Sequence, residues 1–299
     1  WSSDVCSSDL VFIIPLTPKQ FLNPVRQVLF NMMVYSLRNQ TSDNWTALLL
    51  GEEEHIDGNL VFIDSEKPLV DGYKKEWRSD AGHTDKHHKI EIALQYITKS
   101  KKKPWYLIRL DDDDLISPNV VDFIDKDPAQ FDCYADRYQA LYNIADGKIA
   151  LPKLNWLANS VFHKYEHAVS IVPGINKMLI NCSHSDYFHL YYADKQVHYF
   201  QKHFPLYLRV FSNTSLHIST SVIQSANYHT KKYGFWYYFS LPEFEIYINM
   251  LIEKIAPILK VTIKRKKSLT SHSILYISYF LSKTLTRVRS KLKRLINNK

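Results

Sequence analysis

Apolar and polar positions alternate in blocks along the first 125 residues. Val11–Ile14 is a short, wholly apolar run closed by Pro15. Val25, Val28, Leu29 and Met32 recur at helical spacing and predict a helix over roughly 24–38. Trp45–Leu50 and Leu60–Ile63 are two more apolar runs of strand length. Ile90, Ala93, Leu94 and Ile97 form an i, i+3, i+4, i+7 set, the buried face of a helix capped by Thr84 or Asp85. Trp105–Leu110 is a fourth strand. Behind it, Val120, Phe123 and Ile124 mark a helix with Ser117 as N-cap and Pro118 at its first position. Strands that are apolar throughout, alternating with helices, imply an α/β fold: a mostly parallel central sheet with helices on both faces.

The pattern loosens after residue 130. Asp132–Tyr142 and Lys148–Leu151 read as a hairpin around the turn dipeptide Asp146-Gly147. Val161–Pro173 and Leu206–Ser221 carry further strand-like segments. A helical region runs from Phe244 to the end, interrupted near Pro257 and 264–271. The main body is therefore placed at 11–243 and a basic helical C-terminal region at 244–299. Trp1–Leu10 matches one translated frame of a common sequencing adapter and is set aside as an assembly scar. The credible chain begins near Val11, with no signal peptide ahead of its first strand. No apolar run reaches the ~18 residues that a membrane-spanning helix needs.

The most informative stretch is WYLIRLDDDDLIS, 105–117. Four carboxylates, Asp111 to Asp114, directly follow a buried strand. Like charges so placed repel one another unless a cation neutralises them, and oxygen-only ligands select a hard divalent ion, Mg2+ or Mn2+. In open α/β sheets ligands bind beyond the carboxyl ends of strands, where this run lies. The alternative is a solvated acidic turn.

Composition narrows the field. Only 7 glycines occur, and no GxGxxG, GxxxxGK[ST] or GxSxG is present, which removes the main signatures of dinucleotide-binding, P-loop and hydrolase folds. Cys133 and Cys182 have no metal or redox spacing, so a reducing, cytoplasmic compartment is expected rather than a disulfide scaffold. The net charge of +8 is uneven: 12 of the 38 Lys/Arg fall in 260–299, which has no Asp or Glu. That leaves 26 basic against 30 acidic residues elsewhere, an acidic body that argues against nucleic acid as a partner.

Three stretches now carry a resemblance. FIIPL (Phe12–Leu16) is an opening strand, SLRNQT (Ser36–Thr41) ends the first helix before NWTALLL, and IRLDDDDLISPNVV (Ile108–Val121) contains the acidic run. Together they resemble glycosyltransferases of the GT-A fold, near inverting family 2 and, within it, the rhamnosyltransferase family of bacterial polysaccharide clusters. The resemblance covers roughly 11–125, with a weaker echo in PLYLRVFSNTSLHIS (Pro205–Ser219). It implies a metal-dependent transfer of a sugar from a nucleotide-diphosphate donor to a saccharide or lipid-linked acceptor in polysaccharide biosynthesis. By the same pattern Asp111 faces the ribose, Asp113 holds Mn2+ or Mg2+ and Asp114 assists. Asp112 occupies the variable position and is read as exposed. Family members often have a histidine where Phe211 stands, and His217 is the substitute metal ligand.

Other roles come with alternatives. Arg109 either pairs with a phosphate or is a structural partner of the acidic run. Glu52 or Glu53, after the second strand, either contacts the nucleotide base or lies in an exposed acidic loop. Asp85, Lys86 and Lys89 lie near the family's donor-contacting lysine, with Lys89 taken as the contact, or form a solvated face. An inverting enzyme needs a general base for the acceptor hydroxyl. Asp186 is the first candidate and Asp194 the second, with His184 as an orienting group. The C-terminal region combines Ile274–Leu281 with the basic clusters 264–267 and 287–294. It suits peripheral binding to an anionic membrane, on the inner face, where each basic residue contributes about 1 kcal/mol; the alternative is a helix packed on the body.

Two rival functions share these residues. A catalytically degenerate transferase domain would bind a nucleotide sugar without turnover. A haloacid-dehalogenase-like phosphatase also places Asp-x-Asp after a strand, but wants it on the first strand and Thr or Val where Leu115 stands.

Overall fold

The computed structural model describes residues 8–19, 22–65, 80–126, 131–138, 140–144, 147–151, 158–182, 186–200, 205–211 and 241–259. His184, His217, Asp146 and the region 260–299 lie outside the described residues, as does most of the adapter-like segment.

The strands are β1 (Leu10–Pro15), β2 (Trp45–Gly51), β3 (His55–Asp57), β4 (Leu60–Asp64), β5 (Tyr106–Arg109), β6 (Leu115–Ile116) and β7 (Cys133–Asp136). After them come β8 (Ala140–Asn143), β9 (Lys148–Ala150), β10 (Val161–Lys164), β11 (Ile171–Val172), β12 (Lys177–Met178), β13 (Val197–Phe200) and β14 (Tyr207–Phe211). The helices are α1 (Pro24–Arg38), α2 (Asp80–Lys99), α3 (Val120–Asp125), α4 (Tyr165–Ala168), α5 (Asp186–Tyr191) and α6 (Glu245–Leu259).

Eight strands form the main sheet in the order β13-β7-β10-β5-β1-β2-β4-β3. Six run parallel; β10 and the edge strand β3 run against them. This is a mixed α/β sheet, with β5 near its centre. Alternate residues of the central strands enter opposite cores. Phe12, Ile14, Tyr106 and Ile108 pack on the α1 and α3 side. Val11, Ile13, Leu48 and Leu107 pack on the other side, against Ile90, Ala93, Leu94 and Ile97 of α2. Burial on both faces is why these strands read as unbroken apolar runs.

A second sheet, β6-β14-β8-β9, stands beside the first. Asp132–Tyr142 is therefore divided between two sheets: β7 joins the main one, and only β8 pairs with β9 as a hairpin. Gly147, at φ 70°, takes the left-handed conformation that the hairpin turn requires. α6, with Phe244 just before it, packs on α1 and this second sheet through Tyr247, Leu251 and Ile255, with Tyr247 edge-on to Tyr35. Residues as far as Ile255, within the C-terminal region, thus share a core with α1 and the second sheet.

Two caps differ from expectation. Asn23 caps α1, its side chain accepting the N–H groups of Val25 and Arg26. Ser117 does not cap α3, which starts at Val120; its hydroxyl donates to Glu243 at 2.9 Å. α2 begins at Asp80, so Thr84 and Asp85 lie inside it, and Asp85 pairs with Lys89 one turn on.

Candidate active site

The parallel strands direct their C-terminal ends to one edge of the main sheet. Arg109 and the aspartate run lie there, with Pro15 of β1, Gly51 of β2 and Asp136 of β7. β10 runs the other way, so its N-terminal approach, Ala158–Ser160, reaches the same edge.

The tight turn after β5 sends four successive carboxylates in different directions. Asp111, Asp113 and Asp114 converge, with one oxygen from each lying within 4.8 Å of the others. Asp111 receives the ammonium of Lys86 from α2. Asp114 is buried; it accepts the Val210 N–H at 3.1 Å and the Asn159 side-chain amide at 3.3 Å. Asp113 faces Arg26 of α1 at 3.5 Å. Asp112 is not exposed as expected. It turns inward, accepting the Thr17 N–H at 2.7 Å and a bond from Arg26 at 2.9 Å, because a buried carboxylate needs donors and the β1–α1 segment supplies them.

The electrostatics separate the carboxylates. Burial raises the Asp111 carboxyl, but Lys86 and Arg109 outweigh it and hold it below the usual range. Burial, reinforced by neighbouring aspartates, pushes Asp113 and Asp114 up. A pair held above its ordinary range by burial and by like charges is the environment that a divalent cation relieves. Three carboxylates with no nitrogen or sulfur donor fit Mg2+ or Mn2+.

Arg109 points to the α2 side, following Leu107 by strand alternation. It is 7% exposed, and its Nε and Nη1 find no hydrogen-bond partner among the described residues. Burial lowers its pKa, and Asp111 is the strongest charge opposing that shift. Lys89 does not reach the aspartates: its ammonium is held by Asp85 and the Leu16 carbonyl, each at 2.8 Å. Lys86, less than a turn earlier, does. Glu52 and Glu53 close β2 and both hold Lys19, Glu52 through its backbone N–H at 2.9 Å and Glu53 through its ammonium at 2.7 Å. They share the edge with the aspartates but sit two strands away, roughly 10 Å.

Asp186 opens α5, which follows Cys182, a residue within electrostatic reach of Arg109. Nothing is described of the Asp186 side chain. Asp194 lies at the opposite end of the sheet. It precedes β13, whose first residue pairs with the first residue of β7, and its side chain is 82% exposed against Lys195. The second candidate base is thus not brought to the aspartates.

Arg26, Lys86, Asn159 and Val210 were not singled out in the sequence reading as partners of the acidic run. Only Lys86 had a legible signal, as a basic position on α2.

No family model matches the chain, and no curated protein matches it. Among solved structures, it is similar to residues 1–349 of TarS from S. aureus at 9% identity and TM-score 0.37, over 68% of this chain and 60% of that one. The same TarS fragment is also known in complex with UDP-GlcNAc. The glycosyltransferase GlyE from Streptococcus pneumoniae matches at 11% identity and TM-score 0.36, over 88% and 66%. Rv0371c from Mycobacterium tuberculosis, in complex with manganese, matches at 12% and 0.32, over 69% and 90%. The chain thus spans less than two thirds of the TarS fragment and of GlyE. Likenesses this slight assign neither substrate nor metal.

Proposed function

We propose that this chain is a metal-dependent glycosyltransferase. It moves a hexosyl group, with rhamnose the first donor sugar to try, from a nucleotide diphosphate to a saccharide or lipid-linked acceptor in polysaccharide biosynthesis. One observation carries the reading: Asp111, Asp113 and Asp114 gather at the C-terminal end of the central strand with the cations Lys86 and Arg109 beside them.

Asp113 and Asp114 would hold Mn2+ or Mg2+, with His217 as a further candidate ligand. The ion supplies charge stabilisation to the departing diphosphate. Asp111 would face the ribose, and Glu52 or Glu53 the base. Lys86 and the unsatisfied donors of Arg109 place positive charge where negative charge develops. Lys89 holds the Leu16 carbonyl and so shapes the segment after β1. Asp186 would accept the proton of the acceptor hydroxyl as its oxygen bonds to the anomeric carbon. The bond from that carbon to the phosphate oxygen breaks on the opposite face, and the configuration inverts. A lipid-linked acceptor suits the basic region 260–299, which would hold the enzyme on an anionic membrane at the cytoplasmic face.

The test is a thermal-shift screen of UDP, GDP and dTDP with and without Mn2+, followed by turnover of the matching nucleotide sugars. Stabilisation should require Mn2+ and vanish in Asp113→Asn, with turnover down at least about 100-fold. Nucleotide binding and turnover that survive both EDTA and this substitution would refute the proposal.

A further inference from the structure

The aspartate run is not left to solvent. Arg26, 6% exposed, lies against two of its members. One Nη2 hydrogen bond at 2.9 Å fixes it to Asp112, which is fixed in turn by the Thr17 N–H at 2.7 Å. Its other nitrogen stands 3.5 Å from Asp113, close enough to attract but too far for a good hydrogen bond. Neighbouring carboxylates hold the guanidinium charged even though burial opposes it. Arg26 is therefore a permanent positive charge held beside one of the three carboxylates that fit a divalent ion, and Asp112 keeps it from closing fully onto Asp113.

We propose that Arg26 is a positioning residue that acts as a built-in counter-cation: it opposes the divalent ion at Asp111, Asp113 and Asp114 and so keeps that ion exchangeable. The proposal rests on the metal reading given above. Its physical basis is the sign of the charge. Without metal, four carboxylates face Arg26, Lys86, Arg109 and Arg209; the incoming ion is attracted by the first set and repelled by the second. Arg26 stands 3.5 Å from Asp113 and is the strongest positive charge acting on it, ahead of Arg209. Removing its charge strengthens the field felt by the ion. A scaffold whose only task was to orient Asp113 would have the opposite effect, because its loss would loosen the ligand and weaken binding.

Mn2+ titration of the full chain, without nucleotide, read by the electron paramagnetic resonance of free Mn2+, separates these outcomes. Arg26→Gln should bind Mn2+ roughly tenfold more tightly than the parent, the scale of one unit charge acting on a divalent ion over several ångströms of high-dielectric surroundings. Arg26→Lys keeps the charge and should stay within about threefold of the parent. Unchanged or weaker binding in a folded Arg26→Gln would overturn the proposal. So would tenfold tighter binding in Arg26→Lys, a test that holds if the glutamine variant does not fold. A parent chain that takes up no Mn2+ would overturn the metal reading itself, and the role of Arg26 with it.

Discussion

Gln40 and Ser117 are joined by a hydrogen bond from the Gln40 side-chain amide to the Ser117 carbonyl at 2.8 Å, across 77 residues of chain. The same amide reaches the Ser36 carbonyl, and the Gln40 carbonyl oxygen accepts the Val121 N–H. Ser36 accepts the Ile116 N–H, and the Thr41 N–H donates to the Pro118 carbonyl. The SLRNQT segment is thus a clamp on the backbone that follows the aspartates. It holds the C-terminal side of the acidic turn while β5 holds the other.

Gln40→Ala should therefore do more than remove an apolar contact. It leaves the Ser117 carbonyl and the Val121 N–H, in a buried setting, without their partner. The expected cost is about 2–3 kcal/mol of unfolding free energy, read from urea melts. Gln40→Glu keeps the acceptor for Val121 but sets a carboxylate against the Ser117 carbonyl, and should be no better. A loss below about 0.5 kcal/mol in the alanine variant would show that the clamp is dispensable.

Much of this fold was legible because its central strands are buried on both faces. Runs such as Val11–Ile14 and Trp45–Leu50 can be little else when helices separate them, and α1 occupies the predicted 24–38. The direction of β10 was not legible: nothing in VFHK distinguishes a parallel from an antiparallel strand, yet that reversal is what brings Asn159 to Asp114. The acidic run was visible, but its division of labour was not. Four identical side chains in a tight turn have no periodicity to read, and which one turns inward depends on Thr17 and Arg26, 86 or more residues away in the chain. Likewise Ser117 has the composition of a cap, but Glu243 competes for its hydroxyl and wins.

Asp112 is the member of the run whose loss should be felt in stability first. Asp112→Ala leaves Arg26 buried beside Asp113 alone and the Thr17 N–H without an acceptor. About 3 kcal/mol is expected, whereas Asp112→Asn, which keeps the shape and an acceptor oxygen for one of the two donors, should lose less. Guanidinium or urea midpoints of the two variants test the order. Equal losses would mean that the carboxylate charge, absent from both variants, and not the remaining oxygen holds the turn.

His163 provides a pH test remote from any metal ligand. It is buried, bonded through Nδ1 to the Tyr192 hydroxyl at 2.8 Å, and burial lowers its pKa to about 3, with Arg109 and His167 adding to the effect. Above about pH 6.5 the ring is neutral in both folded and unfolded chains, and its contribution is complete. As pH falls toward 3 the unfolded chain takes up a proton that the folded one refuses, so stability declines by up to about 1.4 kcal/mol per unit. Between pH 6.5 and 4.5 this amounts to roughly 2 kcal/mol. His163→Gln removes that component, so its stability should fall less steeply with acid than the parent's over the same interval. Parallel pH profiles would place the ring in a solvated setting and contradict its burial.

The last expectation concerns residues 260–299, whose 12 basic side chains have no acidic counterweight. No helix among the described residues is long and apolar enough to cross a membrane, and no apolar run in the sequence of 260–299 reaches the ~18 residues that a span needs. An anionic leaflet attracts each Lys or Arg by about 1 kcal/mol within a Debye length, and Ile274, Tyr276, Tyr279 and Phe280 would add apolar contact. Because α6 packs on α1 and the second sheet as far as Ile255, truncation should fall after the helix ends at Leu259 and not at 244. The full chain should co-sediment with vesicles containing about one third anionic lipid in low salt, less so as salt shortens the reach of the field. The chain ending at Leu259 should remain in the supernatant, its balance of charge being acidic. Equal sedimentation of the two chains, or equal binding to neutral vesicles, would return the basic region to a role within the protein itself.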